Sequence, residues 1–111
     1  MIKSFAILQK KDSISQDEFA RYWREKHGPL VARVIPGMRK YIQHHPVKIP
    51  GLEYEISGIA ELWWDDVESI QKYLKWRQSE EAKVLIEDEK KFLKPGPLLR
   101  IYTEEQVIVE R

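Results

Sequence analysis

Apolar residues stand at both parities between Ile2 and Lys10, with Phe5 and Ile7 set against Ala6 and Leu8, and this predicts a strand covered on both faces. Asp12-Ser13 breaks it. Ser15 then precedes Glu18 by three positions, a capping box, and a stripe through positions 19, 22, 23, 26, 27, 30 and 34 follows at helical spacing. Gly28-Pro29 is expected to kink or restart that helix, because the residue before a proline avoids the α region, and Pro36-Gly37 closes it. Met38 to Val47 reads as a second strand. Pro46 to Gly51 connects it to a third strand at Ile56 to Trp64. Asp65-Asp66 caps a short helix over Val67, Ile70, Tyr73 and Leu74, and Ser79 caps another over Ala82, Leu85, Ile86, Glu89 and Phe92. Pro95-Gly96-Pro97 ends the last helix, and Leu98 to Glu110 is the last strand, again apolar at both parities.

The order βα-ββ-αβ, with one extra short helix, predicts an α+β protein of ferredoxin-like βαββαβ arrangement with an antiparallel four-stranded sheet. In such a fold the helices cover one face of the sheet, so a lone subunit would show polar residues on the other. The third strand does not. Gly58, Ala60, Leu62 and Trp64 share one parity, and Ile59, Glu61 and Trp63 the other. The small Gly58 and Ala60 suit a closely packed helix, which assigns Ile59, Glu61 and Trp63 to the open face. Leaving that face in water would expose roughly several hundred Å² of apolar surface, more than monomers usually show. A second copy of the chain is the economical cover, so a homodimer is expected.

The 111 residues, 42% hydrophobic and 33% charged, suit one compact domain over residues 1–111. The formal charge of +1, with both signs mixed along every helix, leaves no basic stripe for a phosphate backbone and argues against nucleic acid. There is no cysteine, which removes disulfides, thiol nucleophiles and thiolate metal ligation and fits a reducing compartment. No apolar run approaches the roughly 18 residues of a membrane helix, so the expected setting is cytoplasmic, without membrane association.

Candidate chemistry gathers on two segments. His27 falls at the expected helix end, where the backbone dipole favours the imidazolium while the aromatic stripe beside it favours the neutral ring. It reads either as a proton-transfer group or as a capping histidine packed on Trp23. Tyr41, Gln43 and His45 share one face of the second strand, with Ile42 and His44 on the other. Tyr41 and His45 could polarise a carbonyl or phenol and Gln43 could orient it; a polar ladder near a sheet edge is the plainer alternative. Glu61, on the face assigned to a barrel interior, needs a partner. It could orient His45, act as a base, or pair with Arg39 or Arg100. Phe5, Ile7 and Trp63 would supply an apolar wall. His27, His45 and Glu61 lack the short spacing typical of metal ligands, and no phosphate loop, serine elbow or dinucleotide fingerprint is present.

Phe19, Tyr22, Trp23, His27, Pro29 and Leu30, then Tyr41-x-Gln43-x-His45, then Gly58-Ile59-Ala60-Glu61-Leu62-Trp63 with Trp64-Asp65-Asp66, resemble the signature of the EthD family, a branch of the dimeric α+β barrel proteins. The resemblance implies two sheets facing each other in a dimer, with a pocket between each sheet and its first helix. It also implies a pocket histidine at His27, and it suggests no metal and no required cofactor. One departure is Ser57, where similar sequences often carry an aspartate. The expected catalytic residues are therefore His27, Tyr41 and His45, with Trp23, Gln43, Glu61, Trp63, Phe5 and Ile7 binding a small-molecule substrate. A cofactor-independent acid–base or oxidoreductase-type enzyme for a small cyclic or aromatic carbonyl compound is one reading. A non-catalytic ligand-binding or accessory protein that uses the same pocket is the other.

Overall fold

A computed structural model describes residues 1–111. Strand β1 spans Ile2–Leu8, β2 Lys40–His44, β3 Gly58–Trp64 and β4 Leu99–Glu104. They form one four-stranded antiparallel sheet in the order β2-β3-β1-β4. Helices α1 (Gln16–Tyr22), α2 (Gly28–Val34), α3 (Val67–Trp76) and α4 (Lys83–Phe92) connect the strands. This is the ferredoxin-like arrangement that the order of elements predicts. No helix is long and apolar enough to cross a membrane.

Helix α1 starts where its capping box stands. The Ser15 hydroxyl accepts from the Glu18 backbone N–H at 3.0 Å, and the Ser15 N–H donates to Glu18 Oε1 at 3.0 Å, so two otherwise orphaned donors are satisfied. The helix restarts at Gly28-Pro29, as expected, but without a gap. Trp23–His27 forms a single π turn that joins α1 to α2 without a break, and the Gly28 N–H donates to the Trp23 carbonyl five residues back. Pro29 has no N–H with which to continue an α ladder, and the widened turn absorbs that loss. Gly28 keeps helical angles before the proline (φ −55°, ψ −52°) because it has no Cβ to press on the pyrrolidine ring.

The register decides which side chain meets which layer. Tyr41 lies opposite Leu62 and Gln43 opposite Ala60, while Ser4 and Ala6 lie opposite Tyr102 and Arg100; these residues face the helices. Phe5 pairs with Glu61 and Ile101, Ile7 with Ile59 and Leu99, and Ile42 with Glu61, on the open face. The assignment of Ile59, Glu61 and Trp63 to that face therefore holds. Between helices and sheet, Phe19, Trp23, Trp64, Leu85 and Phe92 are almost completely buried, each contributing on the order of 2–3 kcal/mol by removal from water. Trp64 donates its indole N–H to the Ser4 hydroxyl at 3.0 Å, so its burial leaves no polar atom unmet.

The last strand is shorter than expected. Glu104 lies opposite Ile2, where β1 begins, so residues 105–111 run past the sheet with no strand beside them. Val107, Ile108 and Val109 are exposed there.

Candidate functional site

The π turn carries His27 into the layer between helices and sheet, where only 6% of its side chain is exposed. Its Nδ1 lies 2.8 Å from Oδ2 of Asp88 on α4. The same carboxylate accepts the Tyr22 O–H at 2.5 Å through Oδ1, and the Phe92 ring centre stands 4.7 Å from that of the imidazole. Burial works against an ionised Asp88. Hydrogen bonds from Tyr22 and His27 more than offset it, with help from the His27 and Lys91 charges, and hold the carboxyl below its ordinary range. Burial first, then the hydrogen bond to Asp88, pushes the Tyr22 phenol up to about 12. With Asp88 accepting from Nδ1–H, a neutral imidazole keeps its lone pair on Nε2, which makes no hydrogen bond. Thus His27 is not the dipole-stabilised residue at a helix end expected from the sequence; it is a mid-helix side chain oriented by a carboxylate 61 positions away.

Asp88 is the residue that sequence reasoning missed. Leu85, Asp88 and Phe92 are all buried on one stripe of α4, so a carboxylate at i+3 from one apolar residue and i−4 from the next was the available signal.

His27 borders a small cavity of about 60 Å³ that is also lined by Trp23, Tyr41, Leu62, Tyr73 and Tyr102. That is room for roughly two water molecules. A groove of about 770 Å³ lies outside it, between α4 and the approach to β4, and Leu8, Glu89, Leu93 and Arg100 border both spaces. These four side chains form a neck. Glu89 is fixed there by two hydrogen bonds from Arg77, at 2.8 and 3.1 Å, and Arg77 also reaches the Tyr73 hydroxyl at 3.3 Å.

Tyr41, Gln43 and His45 do share a face, and it is the helix face. Gln43 Nε2 donates to the Trp23 carbonyl and to the Tyr41 hydroxyl, both at 2.9 Å, while His45 Nε2–H donates to Gln43 Oε1 at 2.9 Å. His45 also packs on Trp23 with ring centres 4.7 Å apart. Of the three, Tyr41 alone borders the cavity with His27. Burial raises the Tyr41 phenol, against the hydrogen bonds that reach it, and burial together with Arg24 lowers His45. Gln43 is able to come so close because Gly28 has no side chain; a Cβ there would sit 2.8 Å from Gln43 Nε2.

Phe5, Ile7, Glu61 and Trp63 lie on the other side of the sheet and do not share a cavity with His27. Glu61 does not meet His45, Arg39 or Arg100. It accepts from the Trp63 indole N–H at 2.6 Å, lies 2.7 Å from His44 Nε2 and 3.9 Å from Lys3 Nζ, while Arg39 approaches Asp65 instead. Against burial, those hydrogen bonds and charges leave Glu61 below its ordinary range. One-residue alternation along β2 puts His44, not His45, on the Glu61 side. For the same reason His27, His45 and Glu61 cannot converge on one metal ion. Ser57 is buried outside the cavity, its hydroxyl accepting from the Lys10 N–H at 2.9 Å.

The profile of the EthD domain matches residues 11–96. The chain belongs to the EthD family. An ethyl tert-butyl ether D (EthD) family protein from Bacillus halodurans C-125 is 25% identical, with 96% of this chain and 99% of that one aligned at a TM-score of 0.71. An EthD-like protein from Ralstonia eutropha JMP134 is 17% identical over 99% of this chain and 94% of its own, with a TM-score of 0.67. A dimeric protein of unknown function and ferredoxin-like fold from Bacteroides fragilis NCTC 9343 shares 13% identity over 94% of this chain and 95% of its own, with a TM-score of 0.63. No curated protein sequence matches the chain significantly. In this EthD protein the capping box, the aromatic stripe of α1, the π turn and the Gly58–Trp64 strand all fall inside the matched span, and so do His27 and Asp88.

Proposed function

We propose that this EthD protein is a small-molecule enzyme in which His27 moves a proton on a carbonyl compound. The observation that carries the reading is the 2.8 Å contact between His27 Nδ1 and Asp88 Oδ2 beside a buried cavity. A carboxylate fixes the tautomer and steadies the imidazolium that forms when Nε2 takes a proton. In the step, a carbon α to the carbonyl gives its proton to Nε2, and the bonding pair becomes an enolate. The Tyr41 hydroxyl oxygen accepts from Gln43 Nε2, so the hydroxyl keeps its own hydrogen to donate to the enolate oxygen. Reprotonation elsewhere gives isomerisation, loss of a β-hydroxyl gives dehydration, and reaction of the enolate with dioxygen is the oxidoreductase variant. These residues supply the proton transfer themselves, so no cofactor enters the proposal.

The reading includes a homodimer in the cytoplasm. Leu99 and Ile101 are about half exposed at 51% and 45%, beside Phe5, Ile7 and Ile59 on the open face. A second copy would cover that face, and the apolar tail from Val107 to Val109 would cross to it. The Bacteroides fragilis relative, described as dimeric, has the same fold.

The test is deuterium exchange at the α carbon of small cyclic and aryl ketones, such as 2-tetralone, followed by NMR in D2O. The protein is expected to accelerate exchange, and His27→Ala to remove roughly a hundredfold or more of that acceleration. Exchange at the same rate with both proteins would end the catalytic reading. Ketone binding that survives in His27→Ala, with no exchange in either protein, would favour the ligand carrier.

A further inference from the structure

Two polar groups, Arg100 at the neck and Tyr102 just inside it, are open to a ligand. The Tyr102 hydroxyl is buried and has no hydrogen-bond partner, the one such side-chain atom in the protein. Buried polar groups are nearly always paired, so an unmet hydroxyl is a donor free for any acceptor that enters the cavity. Arg100 stands two residues before it on the same face of β4, borders both the inner cavity and the outer groove, makes no ion pair, and lies close enough to the Tyr102 hydroxyl to act on its phenol. Its neighbour Arg77 is unlike it, since Glu89 already occupies that guanidinium on two atoms.

The charges around the groove have one sign in excess. Five cationic side chains line it against two carboxylates, Asp12 and Glu89. Asp12 lies 3.3 Å from Lys94, and Glu89 is held by Arg77, so neither is left to neutralise Arg100. A cation in a partly desolvated neck attracts an anion more strongly than one in open water.

We infer that the neck is a binding site for the oxyanion head of an organic acid, with Arg100 pairing to the charge and the Tyr102 hydroxyl donating to the same group. Arginine presents a planar fork that matches a carboxylate on two atoms. The head sits at the neck, the inner cavity of about 60 Å³ keeps room for the reacting carbonyl beside His27 and Tyr41, and the groove of about 770 Å³ takes the rest of the carbon body. Burial raises the Tyr102 phenol and Arg100 opposes that rise, so near neutral pH the hydroxyl keeps the hydrogen it donates. The inference rests on the proposed enzymatic reading in one respect: it makes the substrate an acidic carbonyl compound whose anionic end docks at the neck of the cavity that His27 lines.

The probes are benzoate and its neutral isostere benzamide, titrated calorimetrically into the intact protein. Benzoate is expected to bind about tenfold or more tightly than benzamide, and to weaken as salt rises. Arg100→Gln should erase the preference. Tyr102→Phe, which keeps the ring and the fold, should weaken benzoate about three- to tenfold and leave benzamide nearly unchanged. In the NMR spectrum the Arg100 Nε–H resonance should shift with benzoate. Equal affinity for the two probes, no benzoate binding at millimolar concentration, or a preference that persists in Arg100→Gln would overturn the inference. His27→Ala separates it from the catalytic proposal, because that variant should still prefer benzoate whether or not the protein exchanges α protons.

Discussion

A Cβ placed on Gly58 would stand 2.5 Å from Cζ3 and 2.8 Å from Cη2 of Trp23, so the outer ring edge of the indole lies against the first residue of β3 with no room for a methyl group. The contact sets the distance between α1 and the sheet. It also fixes Trp23, whose carbonyl receives both the π-turn N–H of Gly28 and the amide of Gln43. Gly58→Ala is expected to destabilise the protein by about 1–3 kcal/mol through overpacking. Trp23→Phe takes away the outer ring edge, so the double variant should cost less than the sum of the single ones. Urea denaturation of the four proteins measures the coupling; strict additivity would mean that the indole does not press on Gly58.

Asp88 is more acidic in the folded chain than an ordinary aspartate, whose value is 3.8. Such a group stabilises the fold above its unfolded value, and that contribution disappears as pH falls through the lower folded one. Asp88→Asn should cost about 1–3 kcal/mol at neutral pH, and the gap to the parent protein should narrow below about pH 4. Glu61 titrates in the same sense in both proteins, so the difference between the two curves isolates Asp88. A gap that is constant from pH 7 to pH 3 would contradict the assignment.

Ser57 stands where similar sequences often have an aspartate, yet its hydroxyl serves the Lys10 N–H. Ser57→Ala should cost about 1–2 kcal/mol by leaving that buried donor unmet. Ser57→Asp keeps an acceptor and should cost less. Neither change should alter the ketone exchange rate, and a change of more than about threefold would show that position 57 communicates with the cavity after all.

The open face should hold two chains together. Ile101→Asp places a charge opposite Phe5 in the register and should shift the protein to monomers at micromolar concentration, read by sedimentation velocity. If the parent protein sediments as a monomer, or if the variant remains dimeric, the face has another role.

Local physics made much of the fold legible. Ser15 and Glu18 are three residues apart and can only close on each other, so the helix start follows from sequence. Alternation along the third strand separates Gly58 and Ala60 from Ile59, Glu61 and Trp63 wherever the strand is placed. The helix face for Trp23 and His27 follows from helical spacing in the same way. The restart at Gly28-Pro29 is legible because a proline's missing N–H shows in the sequence, whereas the π turn that joins the two helices does not.

The partners of the site were settled by tertiary structure. Whether β2 lays Tyr41 or Ile42 against the helices depends on its register with β3, and a one-residue slip would exchange them; Glu61, for which His45, Arg39 and Arg100 were the candidate partners, is found with His44. His27 and Asp88 come from helices joined through two strands and a third helix, and no spacing rule connects them. The sequence by itself determined the elements and their apolar faces, because those arise from hydrogen bonds and periodicities a few residues long. Only the folded sheet, with its register and helix crossings, decided that an imidazole, a carboxylate, three phenols and a guanidinium surround one cavity, because those contacts join groups with no shared local period.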